Sequence, residues 1–206
     1  MNVTLAIIVI TIIVSLYGWQ NDSFLERLLL NPQKILQRGQ WYRMLTSGFI
    51  HADLGHLAFN MITLFYFGGT LEQVFRALFG EAGALYLLIF YLVSIVVSDI
   101  PTLIRQRNRS NYNSLGASGG VSALLFGSIM FQPTAQILIM GIIPIPGFIF
   151  GALYMGYSFY ESQRGRGRIN HDAHLYGAIF GVTVVILLYP PVIPYFIDQI
   201  SNWKLF

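Results

Sequence analysis

Gly116-Ala117-Ser118-Gly119-Gly120 lies inside a run from Ser110 to Tyr160 that carries no charged residue. A serine hydroxyl among residues this small can be approached closely by a second backbone, the setting that a nucleophile needs. A later apolar segment, Ala173-His174-Leu175-Tyr176-Gly177, supplies the one base suited to it, His174. A serine and a histidine inside such apolar sequence point to peptide-bond chemistry carried out within a bilayer.

Composition places the chain in a membrane. Of its 206 residues 55% are hydrophobic and only 10% charged, far too little charge to cover the surface of a soluble domain of that length. The net charge of +3 comes from basic residues spread over several loops, which argues against a nucleic-acid surface. With no cysteine, disulfides and thiolate metal sites are excluded.

Working outward, charges and prolines divide the chain into an all-α bundle of six membrane spans forming one domain over residues 1–206. The first, 2–19, ends in the interfacial aromatics Tyr17 and Trp19. It lacks the basic start and cleavage site of a signal peptide, so it reads as a retained span. After a polar stretch from Gln20 to Arg43 come spans at 54–71, bounded by Asp53 and Glu72, and 82–98, bounded by Glu81 and Asp99. Pro133, Pro144 and Pro146 break the charge-free run into spans at 118–131 and 146–160. The Ile143-Pro144-Ile145-Pro146 region between these reads as interfacial loop. The sixth span, 173–189, is stopped by Pro190 and Pro191.

Polar side chains within spans are costly in hydrocarbon and mark sites. His56 and Asn60 are four residues apart, so they share a helical face. Two donors stacked one turn apart suit a developing oxyanion, or alternatively a hydrogen-bonded contact with a neighbouring helix. Gly119 with Ala123, and Gly177 with Gly181, are small-xxx-small faces that let two helices touch. Ser118 and His174 lie just N-terminal to those faces, so a parallel contact brings them together. A neutral imidazole there can accept the serine proton. Asp172 falls about 200° around the helix from His174, which predicts a dyad rather than a triad.

These residues, Trp41-Tyr42-Arg43, His56-x-x-x-Asn60-Met61, Gly68-Gly69-Thr70-Leu71-Glu72, Gly116-x-Ser118-Gly119 and Ala173-His174-x-x-Gly177-x-x-x-Gly181, resemble the rhomboid family of intramembrane serine proteases. The resemblance is to the basic six-span bacterial form, and runs from about Trp41 to Gly181. It implies Ser118 as nucleophile, His174 as general base and then acid, and an oxyanion hole made by His56, Asn60 and the Ser118 N–H. It implies a structural role for the first loop with Trp41 and Arg43. It further implies transmembrane protein substrates, a multi-pass location in a bacterial inner membrane, no metal or organic cofactor, and a gate at the second and fifth spans with the loop 161–170. Gly151 and Gly156 would give the fifth span mobility, or serve as small contacts for a neighbour.

Two features depart from the family pattern. Where many relatives carry an aromatic residue one turn after the serine, stacked on the histidine, this chain has Ser122. The family's orientation also leaves Arg27, Lys34, Arg38, Arg43, Arg105, Arg107, Arg109, Arg164, Arg166 and Arg168 outside the cytoplasm and only Arg76 and Lys204 within it. The positive-inside rule favours the reverse. Two rival functions remain. The pairs His51/His56 and His171/His174, with Asp53 and Asp172 adjacent, could line a metal or proton path, although their spacing is unfavourable and the preferred place for His51 and His171 is the aqueous mouth. The other rival is a catalytically silent rhomboid-like binder of membrane segments.

Overall fold

The computed structural model describes residues 2–139, 141–164 and 169–204. Helix α1, Val3–Gln20, is apolar around its whole circumference and is capped by Asn2. It leads into three short helices, α2 (Asp22–Leu28), α3 (Pro32–Arg38) and α4 (Arg43–Thr46), each of the first two with an asparagine N-cap. The next helix begins as α5, Leu54–Thr63, capped by Asp53, and passes through a single wider π-type turn, Leu64–Gly68. It continues without a break as α6, Gly69–Phe79. The turn displaces a backbone carbonyl, and the Ser128 hydroxyl donates to it, Oγ to Phe67 O at 2.8 Å.

The second helix therefore runs beyond the expected end at 71, because Glu72 does not end it. The Glu72 carboxylate is buried, pairs with Arg76 at 2.8 Å, and accepts from the N–H groups of Val3 and Thr4. A carboxylate satisfied on the free N–H groups at the start of α1 is a favourable charge inside the bundle. Gly80, at φ 60°, reverses the chain, and α7 fills Gly83–Arg105 instead of 82–98. Its Asp99 and Arg105 are likewise partnered, so they lie within the helix.

Helix α8, Ser118–Phe131, has the expected bounds, and every residue from Gly119 to Met130 is buried. A helix apolar all round belongs in a core, and α8 packs against α5, α6, α7, α9, α10 and the C-terminal helix. The region between α8 and the next helix is not loop but an antiparallel hairpin, β1 (Gln136–Ile139) with β2 (Ile143–Pro146). A two-stranded ribbon has only edge strands, so Pro144 and Pro146 can turn their missing donors outward.

Helix α9, Gly147–Arg164, and helix α10, His171–Leu188, extend a little past the expected 146–160 and begin two residues before the expected 173. The gate loop at 161–170 is described only in part, and Arg166 and Arg168 lie outside the described residues. An unanticipated helix α11, Val192–Ser201, follows the Pro190-Pro191 stop. By length and composition Val3–Gln20, the folded-back segment Leu54–Arg105 and His171–Leu188 can cross a membrane, while Ser118–Phe131 is a shorter apolar helix. The molecule is an all-α membrane bundle.

Candidate active site

Helices α8 and α10 run parallel and touch through their glycines. A Cβ at Gly177 would overlap the Gly119 carbonyl, and one at Gly181 would overlap the Ala123 carbonyl. Gly119 is enclosed on its other side by Ser98 of α7, and Gly120 by Ile95 and Tyr91. Ser118 and His174 sit at the same end of this contact, both half-buried. No hydrogen bond joins them among the described residues. Such bonds are often long in a free enzyme and tighten only with substrate.

Ser118 is the first residue of α8, and the first bond inside that helix is Val121 N–H to Ala117 C=O at 2.9 Å. The N–H groups of Ser118, Gly119 and Gly120 therefore have no partner within the helix, and the positive end of the helix dipole lies at the serine. His56 packs against the strained turn before it. Gly116 has φ 117°, and a Cβ there would lie 2.7 Å from His56 Cε1 and 2.9 Å from Nε2. The Asp53 carboxylate holds the His56 N–H at 2.8 Å. Asn60, buried one turn on, donates one amide hydrogen to His56 O at 2.9 Å and keeps a second.

His51 is not at an aqueous mouth. It is buried at 1% exposure and braces the serine loop. Its Nε2 accepts from Ala117 N–H at 3.3 Å, which requires the proton on Nδ1, and Nδ1 lies 3.1 Å from Ser15 Oγ. Ser15 in turn donates to Phe49 O, and Trp19 Nε1 donates to His51 O at 2.7 Å. The adjacent Gly116 N–H is held by Ser47 O. Sequence reading missed this role, because the partners are 36 and 66 residues away. Replacing His51 with leucine leaves the Ala117 N–H buried without an acceptor, at a cost of about 1–3 kcal/mol. We expect lower thermal stability and slower reaction of Ser118. Wild-type values for both would show that the brace is unimportant.

His171 is also buried, edge-on to His174 at 5.6 Å and to Tyr157 at 5.5 Å. Asp172 faces away from His174 and pairs with Arg105 at 2.6 Å and with the Ser162 hydroxyl. Arg43 is buried, its guanidinium donating to Glu26 O and Leu29 O at 2.8 Å and to Gln40 Oε1, so it closes the first loop on itself. Trp41 is more than half exposed. Among the described residues no group of three or more His, Asp or Glu side chains is arranged to hold a metal ion.

Residues 38–191 match the Rhomboid domain family. The chain is 30% identical over 166 residues to RHOMBOID-like protein 12, mitochondrial, of Arabidopsis thaliana, covering 77% of this chain and 49% of that protein. It is 30% identical to the putative rhomboid protease YdcA of Bacillus subtilis, covering 72% and 68%. Identity to the rhomboid protease GluP of the same organism is 24%, covering 80% and 29%. The chain spans about half the length of RHOMBOID-like protein 12, mitochondrial, and of Rhomboid-like protein 11, chloroplastic, both of Arabidopsis thaliana. The match takes in the serine turn, the glycine contact and the His56–Asn60 face together, so the chain belongs to the rhomboid family and is an integral membrane protein.

Proposed function

We propose that this chain is a serine endopeptidase that hydrolyses peptide bonds in or near transmembrane helices of other membrane proteins, through a dyad of Ser118 and His174. The six spans are α1, α5 with α6, α7, α8, α9 and α10, in one domain. The observation that carries the reading is the parallel glycine contact between α8 and α10, with Ser118 and His174 at its open end and, beside them, N–H groups without a partner among the described residues. Ser118 Oγ attacks the scissile carbonyl carbon as its proton passes to His174. The oxyanion is met by the Ser118 N–H, the second Asn60 amide hydrogen and the His56 ring, donors oriented before the charge develops. His174 then protonates the leaving amine, and water releases the acyl group by the reverse roles.

Cleavage of a single-span substrate in proteoliposomes by the wild type, compared with Ser118→Ala, tests this. Cleavage by the wild type alone supports it, and cleavage surviving in Ser118→Ala overturns it. Binding without cleavage by the wild type would favour the silent binder. As for orientation, Arg43 and Arg105 gather at the serine end with their guanidinium groups engaged by carbonyls or a carboxylate. Arg76 lies at the other end, beside the start of α1. Arg76 is engaged as well, by Glu72, so discounting paired charges favours neither orientation, and the positive-inside rule still opposes the family one.

A further inference from the structure

Neither ring nitrogen of His174 makes a hydrogen bond among the described residues, and the nearby carboxylate of Asp172 is taken by Arg105 and Ser162. The orientation of the ring therefore rests on the rings packed against it. One is His171, edge-on. The other is Tyr154 of α9, which lies 6.0 Å from His174 between centroids at an interplanar angle of 23°. Tyr154 is itself held. Phe126 and Phe150 flank it at 5.5 and 5.8 Å, and its hydroxyl lies 2.6 Å from Ser122 Oγ.

Ser122 is buried and one turn beyond Ser118 on the same helix. The position that lacks the expected aromatic thus anchors an aromatic from another helix. That helix is attached to the bundle along a narrow side. Only Gly147, Gly151, Ser158 and Ser162 of α9 are buried, and Leu153, Tyr157, Phe159 and Tyr160 are exposed. Its start is tied to Pro133 O and Ala135 O, and its far end to Asp172 through Ser162. Between these ends, Ser122 to Tyr154 is the side-chain hydrogen bond from α8 to α9 among the described residues. Gly151, one turn earlier, lets α9 approach, with Phe126 3.4 Å from where a Cβ would stand.

We propose that Tyr154 is the positioning residue for His174, tied in place by Ser122, so that the base is oriented only while α9 is seated on α8. This rests on His174 being the base of the reaction proposed above. A substrate that displaces α9 to reach Ser118 would also free the imidazole, and catalysis would follow only once α9 is seated again.

The test uses the full chain in proteoliposomes, with steady-state cleavage of a single-span substrate, labelling of Ser118 by a fluorophosphonate, and histidine proton spectra. Tyr154→Leu should lower kcat by about 10- to 100-fold, as expected for a misplaced catalytic group, with KM changed by less than about twofold on the same ground. Tyr154→Phe keeps the ring and should recover most of that loss. Ser122→Ala and Tyr154→Phe remove one and the same hydrogen bond, so their combination should lose no more than either alone. The His174 ring-proton resonance should move when the tyrosine ring is removed. A kcat for Tyr154→Leu within about twofold of the wild type, or a Tyr154→Phe as poor as Tyr154→Leu, would overturn the proposal. If the wild type neither cleaves nor labels, the protease reading fails, and the His174 resonance still decides the ring contact: a shift in Tyr154→Leu supports it and an unchanged position refutes it.

Discussion

Ser118→Ala and His174→Ala should each bring cleavage of a single-span substrate to the background rate, a loss of about 10⁴-fold or more. That corresponds to about 5 kcal/mol of transition-state stabilisation. The size follows from the chemistry. In the reaction proposed above, no acyl-enzyme forms without the hydroxyl, and without the imidazole the hydroxyl proton has nowhere to go, since Asp172 is turned away into its pair with Arg105. The double variant should lose no more than either single one, because the two groups act as a unit. Both changes make smaller side chains at half-buried positions, so thermal stability should stay close to that of the wild type. A His174→Ala variant retaining a tenth of wild-type activity would mean that another group takes the proton.

Gly177→Val should abolish activity by a different route. Its side chain would fall on the Gly119 carbonyl, with Gly119 Cα 3.1 Å from the new Cβ. That neighbour is backbone and cannot rotate away. Gly119 cannot retreat either, because Ser98 of α7 closes its far side. Overpacking a close-packed contact typically costs about 1–3 kcal/mol, and here the strain is relieved only by moving α10, which carries His174. Thermal unfolding should shift downward and fluorophosphonate labelling of Ser118 should fall together. A Gly177→Val protein with wild-type unfolding and labelling would show that the two helices are not held in this contact. Gly156 is a control in the same class of residue: nothing lies within 4 Å of a Cβ there, so Gly156→Ala should leave labelling unchanged and should not lower the unfolding temperature.

Much of the bundle was legible because hydrocarbon is intolerant of stray charge. The bounds of α8 follow from a charge-free run interrupted by Pro133, and the stop of α10 from Pro190 and Pro191. The misplaced ends share one cause. Glu72 and Asp99 were read as boundaries, yet each lies within a helix because a distant partner satisfies it: the N-terminus of α1 for Glu72 and Asn170 for Asp99. A charge ends a span only when it stays unpaired, and pairing between elements is invisible in a local window. The hairpin between α8 and α9 was missed for a related reason. Pro144 and Pro146 argue against a strand in general and not against the edge of a two-stranded ribbon.

By itself the sequence determined the membrane class, the helical bundle, the family, and the short list of polar residues from which a site could be built. The class, the bundle and the list follow from composition and spacing, which act locally along the chain, and the family from the resemblance of its motifs. Only the tertiary structure decided how that list is held together. It placed His51 beneath the serine turn rather than in water, assigned Asp172 to Arg105, and brought Tyr154 from α9 onto His174 by way of Ser122. Each of these contacts joins residues on different helices. Their geometry depends on how close two backbones can come, and that distance is set where glycine meets backbone in the folded bundle.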